Sequence, residues 1–209
     1  MSNTYTIINP STWARRIHCQ IFRNAAQPQY CITVELDVTH FQKTVKQNGW
    51  SFTLAFIFAV TKCANELDEY RYRFLGDEIV LYDSIDTCFS YLAPGDELFK
   101  VINAPMQETM EDFIENTTRI ISAQKEYFTG PIENDAYVFS ALPWLHYTHV
   151  SHTDAGQKDR TNPMFDWGKY QEKDGTLKMP FSIQVHHSFV DGIHVGRLVD
   201  RLQHYLNTL

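Results

Sequence analysis

Near the C-terminus an apolar–polar alternation runs straight into two adjacent histidines, and no other stretch restricts the fold of this chain as much. Successive side chains of a strand point to opposite faces. From 178 to 185, Met179, Phe181, Ile183 and Val185 therefore share one face, and Ser182 and Gln184 the other. Continuing the alternation puts His187 on the apolar face and His186 on the polar one. The run closes as His186-His187-Ser188-Phe189-Val190-Asp191-Gly192. An imidazole delivered from a strand end among desolvated neighbours suits a general base. From average residue usage, two adjacent His followed at this spacing by Asp-Gly arise by chance in roughly fewer than one chain in a thousand of this length. A satisfied histidine pair at a strand end is the bland reading.

Other periodic segments supply the elements around this strand. Residues 30–38, 78–82, 86–92, 137–141 and 144–150 read as strands from alternation and β-branched content. Helical spacing appears over 13–22, opened by Ser11-Thr12-Trp13, and over 39–47, capped by Thr39 and followed by Gly49. The segment 52–67 is apolar on most sides, as a buried helix is. Residues 106–127 form a long amphipathic helix with Met110, Phe113, Ile114 and Ile121 in step, and 192–206 close the chain with Leu198, Leu202 and Tyr205 inward. Strands and helices in comparable number, with short strands late in the chain, predict an α/β two-layer sandwich with a mixed β-sheet. No repeat or long linker divides it, so 1–209 reads as a single domain.

Composition narrows the function. A net charge of −7 over 209 residues argues against nucleic-acid and membrane partners and favours a small-molecule protein. Met1 to Asn9 is polar, unlike a signal peptide, and the apolar run 52–64 is too short to span a bilayer. Cys19, Cys31, Cys63 and Cys88 are scattered without a Cys-x-x-Cys pair, as expected of a cytoplasmic protein without structural disulfides. His146, His149 and His152 invite a metal reading. On a strand His149 points away from the other two, and no Cys or carboxylate stands at ligand spacing, so no metal is expected. His18, His40 and His204 fall on helix faces without a role, and His194 reads as structural. Glu108, Glu111, Asp112 and Glu115 read as the solvated face of the long helix. Phe56, Phe58 and Phe74 read as core.

Residues 186–192 resemble the His-His-x-x-x-Asp-Gly signature of coenzyme A-dependent acyltransferases. Chloramphenicol acetyltransferases, dihydrolipoyl acyltransferase catalytic domains and peptide-synthetase condensation domains share it. Condensation domains are far longer than this chain, and dihydrolipoyl acyltransferases carry lipoyl and linker segments ahead of the catalytic domain. Three further segments resemble the chloramphenicol acetyltransferases: Trp13-Ala14-Arg15-Arg16, Phe139-Ser140-Ala141-Leu142-Pro143-Trp144 and Gly168-Lys169-Tyr170. With the near-continuous match over 178–195, the resemblance runs from about Asn9 to Leu206.

That resemblance implies acetyl transfer from acetyl-CoA, as co-substrate, to a hydroxyl of chloramphenicol in a ternary complex, with no permanently bound cofactor. It makes His187 the general base and Ser140 the donor to the oxyanion. Arg15 and Asp191 become a buried ion pair shaping the loop after the catalytic His, a structural rather than relay role. Breaking such a pair costs roughly 3–5 kcal/mol. Gly192 permits the tight turn into the last helix. Trp144, Lys169 and Tyr170 line the coenzyme A channel. The family is a homotrimer with active sites at subunit interfaces, the base from one chain and most of the acceptor pocket from its neighbour. Such an enzyme is cytoplasmic and confers antibiotic resistance.

The implied acceptor pocket comprises Phe22, Tyr30, Phe99, Val138, Val150, His152 and Asp166. Tyr30 and Phe99 match the family in kind. Phe22 replaces a Tyr, Val138 an Asn, Val150 and His152 apolar residues, and Asp166 a Thr that helps hold a water. Ser51 stands where a Lys meets the coenzyme A phosphate. A carboxylate and an imidazole in a mainly apolar pocket select strongly among substrates. Two alternatives follow: the same transfer to another alcohol or amine, or a trimeric binding protein with a degenerate site.

Overall fold

The computed structural model describes residues 3–152 and 157–209. The first half of the chain runs β1 (Tyr5–Ile7), α1 (Arg16–Arg23), β2 (Gln29–Asp37), α2 (Thr39–Gln47), α3 (Phe52–Asn65), α4 (Asp68–Arg71), β3 (Tyr72–Leu75), β4 (Glu78–Tyr82) and β5 (Asp86–Tyr91). The second half runs β6 (Lys100–Ala104), α5 (Met110–Ala123), β7 (Ala136–Leu142), β8 (Met164–Gly168), β9 (Gln171–Lys173), β10 (Thr176–His186) and α6 (Gly192–Thr208).

A seven-stranded sheet in the order β2-β10-β8-β7-β5-β6, with β9 also paired to β10, carries the molecule. The β5–β7 and β7–β8 pairs are parallel and the others antiparallel, so the sheet is mixed as expected. A small antiparallel sheet, β1-β4-β3, stands apart. Helices α2, α3, α5 and α6 form the second layer, with α3 at its centre.

The alternation in β10 decides which face meets the helices. Met179, Phe181, Ile183 and Val185 are buried. Phe181 meets Phe56 of α3 edge to face at 5.6 Å and stacks on Phe165 of β8 at 5.9 Å. Helix α3 is buried almost all round, from Leu54 to Val60 without a break, and Ser51 caps it by accepting from the Leu54 N–H. Thr109 caps α5 by accepting from the Asp112 N–H at 3.1 Å, so that helix begins later and is shorter than its amphipathic pattern.

The strand expected over 144–150 is absent. Pro143 and Trp144 make a turn, and the chain continues irregularly with Trp144 and Leu145 exposed. Both sides of β7 are already taken, by β5 and β8. The segment has aromatic and β-branched content, but β7, which it follows directly, has no free edge for it to join. Strands β3, β6 and β8 lack the alternation that would have announced them. In β8 the interruption is Asp166, a charge inside a buried run. No described helix is long and apolar enough to cross a membrane.

Candidate active site

Strand β10 stops at His186 because the chain turns. The His187 N–H donates to Pro28 O at 2.9 Å, and the Phe189 and Val190 N–H groups both donate to His186 O. His186 is 2% exposed. Its Nδ1 accepts from the Ser188 N–H at 3.1 Å, which leaves the proton on Nε2, 2.9 Å from Lys158 O. Burial pushes its pKa down to about 4, so the ring is neutral. The polar face of the strand is thus covered at this end, by Phe74 and Phe189. His187, which the alternation assigned to the apolar face, leaves it with the turn.

The turn delivers His187 between two aromatic rings. Phe22 stacks on it at 3.7 Å, with the planes 6° apart, and Tyr30 sits at 4.8 Å. Tyr30 donates its hydroxyl to Val190 O at 3.2 Å, and burial pushes the phenol up to about 12. His187 Nδ1 lies 3.0 Å from Asp191 Oδ1, though not aligned for a hydrogen bond. That carboxylate oxygen is also held by Arg15. The imidazole is half-exposed, and Nε2 is the nitrogen turned from Asp191.

Arg15 stitches the start of α1 to this turn. It donates from Nε to Ser188 O at 2.7 Å, from Nη2 to His187 O at 3.0 Å, and through both Nη groups to the Asp191 carboxylate at 2.6 Å. This bidentate fork holds the Asp191 carboxyl below the usual range. The Asp191 side chain is 32% exposed and that of Arg15 14%. The pair is therefore half-buried, not buried as expected, and solvent screening reduces the cost of breaking it. Asp191 also starts α6, where its N–H donates to His194 Nδ1 at 2.9 Å. His194 Nε2 in turn faces Glu69 Oε1 at 3.4 Å. Asp191 thus holds Arg15 and also lies beside the His187 ring. At Gly192 an added Cβ meets open space and φ is not left-handed, so the turn does not demand glycine there.

Ser140 lies elsewhere, half-buried near the end of β7. It opens on a 660 Å³ cleft lined by Ser51 and Leu54 at the start of α3, Tyr91, Phe99, Trp144 and others. Ser140 pairs in register with Asp166, Asp166 with Ser182, and Ser182 with Thr33, a row across four strands on one face. His187 is five residues beyond Ser182. At about 4.8 Å per strand and about 3.3 Å per residue, the α-carbons of Ser140 and His187 are about 19 Å apart. One chain does not bring the two into a common pocket.

The remaining expected residues divide accordingly. Phe22 and Tyr30 belong with His187, and Phe99 with Ser140. Val138 is buried two residues before Ser140 on the same face. His152 Nε2 lies 2.9 Å from Asp166 Oδ2, whose side chain is 2% exposed, a close contact that, like the one at His187, is not aligned for a hydrogen bond. Val150, half-buried, precedes it in the same loop. Asp166 pushes the His152 pKa up; burial pushes Asp166 up, opposed by His152. The hydroxyls of Thr33 and Ser182 are hydrogen-bonded at 2.7 Å. The three residues expected along a coenzyme channel sit around one turn. Trp144 is exposed at the cleft, the Lys169 N–H donates to Leu145 O at 2.6 Å, and Tyr170 packs 5.8 Å from Phe52 at the start of α3. A Cβ on Gly168 would meet Leu145 O at 2.5 Å and Pro180 Cγ at 2.8 Å, so here glycine is required. Pro28, Glu69 and Tyr147 support these groups, but they stand in no pattern a sequence could flag.

Three comparisons bear on this arrangement. Residues 3–203 match the family model described as chloramphenicol acetyltransferase. A chloramphenicol acetyltransferase of Klebsiella sp is 35% identical over 205 residues, covering 96% of this chain and 93% of that protein. A solved chloramphenicol acetyltransferase superposes with a TM-score of 0.85 at 29% identity, covering 97% of this chain and all of that one. A probable dihydrolipoamide acetyltransferase from Listeria monocytogenes has the same fold, with a TM-score of 0.61 at 15% identity over 95% of this chain and 92% of its own.

Proposed function

This chain belongs to the chloramphenicol acetyltransferase family, and we propose that it transfers acetyl from acetyl-CoA to a hydroxyl of chloramphenicol within a ternary complex. The observation that carries the reading is the held imidazole. Phe22 and Tyr30 fix the plane of His187, and Asp191, anchored by Arg15, stands at its Nδ1. A carboxylate there favours a proton on Nδ1 and leaves the Nε2 lone pair as base.

Nε2 takes the proton of the acceptor hydroxyl as its oxygen attacks the thioester carbonyl. The carbonyl π pair moves onto oxygen, where the Ser140 hydroxyl donates to it. Collapse re-forms the carbonyl and breaks the C–S bond. The departing thiolate receives the proton held by His187, so the base is regenerated and no acyl-enzyme forms. Trp144, Lys169 and Tyr170 surround the pantetheine route to the cleft. The acceptor is met by Phe22, Tyr30, Phe99, Val138, Val150, His152 and Asp166.

The separation of His187 from Ser140 supports a homotrimer in which the base of one chain faces the Ser140 cleft of the next. Ile17, Ile21 and Ile193, on the two helices that flank His187, are each about three-fifths exposed and are apolar surface for such an interface. The reading puts the enzyme in the cytoplasm, where acetyl-CoA is available, with resistance to the antibiotic as its consequence.

Thiol release from acetyl-CoA, followed with a thiol-reactive chromogen, tests the reading directly. Release should require chloramphenicol and fall by at least about a thousandfold in His187→Ala, since removing a member of such a catalytic unit costs that much. Release independent of His187 removes it from its role. Release absent with chloramphenicol but present with another alcohol favours the second reading, which the His152–Asp166 pair motivates.

A further inference from the structure

Among the described residues the charged pair farthest from solvent lies on the sheet face away from the helices. Side chains at Cα-paired positions share a face, so Ser140, Asp166, Ser182 and Thr33 line up across β7, β8, β10 and β2. The loop after β7 passes over this row and brings His152 down onto Asp166.

Asp166 cannot keep its charge there alone. An isolated buried carboxylate either takes up a proton or holds a cation. The groups around the pair are Cys31 on β2, Ser182 on β10 and Tyr147 on the overlying loop. Burial raises both the Cys31 thiol and the Tyr147 phenol, the latter to about 12, so neither is charged near neutrality. Among the described residues the charged group that acts on Asp166 is His152. For stability alone such a pair has little to recommend it, because apolar residues of similar volume serve as well or better.

Its place suggests another use. Asp166 is the in-register neighbour of Ser140, one strand away on the same face. His152 presents Nε2 to Asp166, which leaves Nδ1 as the ring nitrogen turned elsewhere, and its side chain keeps 13% of its exposure. We propose that His152, oriented by Asp166, selects the acceptor: its Nδ1–H donates to an oxygen of the alcohol other than the one acetylated. The pair thereby favours hydroxylated substrates that carry a second hydrogen-bond-accepting oxygen. His152 is a specificity-determining residue and Asp166 its positioning residue. The inference rests on the acetyl-transfer reading above and refines its acceptor.

The role depends on protonation in a definite sense. In imidazolium both nitrogens are donors. When the ring loses a proton, the carboxylate keeps the remaining one on Nε2, and Nδ1 becomes an acceptor that repels the substrate oxygen. Asp166 raises the His152 pKa, so the donor persists to higher pH than an ordinary imidazole allows.

Steady-state kinetics with acetyl-CoA and chloramphenicol as probe acceptor, from pH 6 to 9, test this on the wild type, H152L, H152Q and D166N. In the wild type the acceptor KM should rise with pH as His152 deprotonates. D166N should move that rise to lower pH. H152L should raise the acceptor KM about tenfold or more while the acetyl-CoA KM stays within about twofold, as for loss of one hydrogen bond to a charged donor. H152Q, whose amide donor does not titrate, should restore much of the affinity and give a flat profile. An unchanged acceptor KM in H152L, with wild-type turnover intact, overturns the proposal alone. So does an equal rise in both KM values with a lower melting temperature, which is the mark of a merely structural pair. No chloramphenicol-dependent turnover in the wild type overturns the functional reading, and the acceptor role falls with it.

Discussion

Adjacent histidines here have opposite fates because one backbone turn separates them. His186 remains in the strand, surrendering Nδ1 to the Ser188 N–H and Nε2–H to Lys158 O, and is neutral in its buried site. His187 is turned out between Phe22 and Tyr30 with a nitrogen to spare. The stability cost of burying His186 has a definite sign. The folded pKa of His186 is about 4 against an ordinary 6.5, so between these values the unfolded chain binds a proton that the native chain refuses. Its contribution is intact above about pH 6.5 and is lost as pH falls toward 4, reaching about 3 kcal/mol. Urea midpoints measured from pH 7 to 4 should fall accordingly, and His186→Asn should flatten that dependence; an equally steep fall in the variant assigns the acid sensitivity elsewhere. The proposed base was legible because a seven-residue pattern carries it. Which face each imidazole takes was not, since the hydrogen bonds to Pro28 and Lys158 come from residues 159 and 28 positions away in the chain.

At the scale of elements, strongly periodic segments were readable and context-dependent ones were not. Strand β10 and helices α2, α3 and α6 lie within a few residues of their patterns. The segment 144–150 looked like a strand and is a loop, because neighbouring strands occupy both edges of β7. The loop instead crosses Gly168, where Leu145 O accepts from the Lys169 N–H. This contact explains the glycine of the Gly168-Lys169-Tyr170 motif in steric terms. Gly168→Ala puts a methyl group 2.5 Å from Leu145 O and 2.8 Å from Pro180 Cγ. Neither neighbour is the end of a flexible chain, so the loop must move. The expected loss is about 1–3 kcal/mol, as for overpacking generally. Trp144 moves with Leu145, so the acetyl-CoA KM should rise more than the acceptor KM. Thermal unfolding and the two KM values check this together; a variant with wild-type values in all three removes the loop contact from the account.

For the whole molecule the decisive length is the span of about 19 Å between Ser140 and His187 within one chain. General base and oxyanion donor must both lie within hydrogen-bond reach of one tetrahedral centre, so on the proposed mechanism they come from different chains. The sequence carried both residues but not the distance between them, which depends on strand order: β8 and the β7–β10 spacing place them two strands and five residues apart. Shared sites make a quantitative prediction. Ser140→Ala chains retain the base and His187→Ala chains retain the oxyanion donor. When the two variants are unfolded and refolded together in equal amounts, a ring of identical interfaces assembles at random. A given interface has a one-half chance of receiving its base from a Ser140→Ala chain. It has an independent one-half chance of receiving its Ser140 from a His187→Ala chain. About one quarter of the sites are then fully equipped. Each variant refolded alone has none, so the mixture should recover about a quarter of wild-type turnover. Recovery no greater than the sum of the separate variants would mean that base and oxyanion donor act within one chain, and a closure bringing β10 and β7 together would have to replace the shared interface.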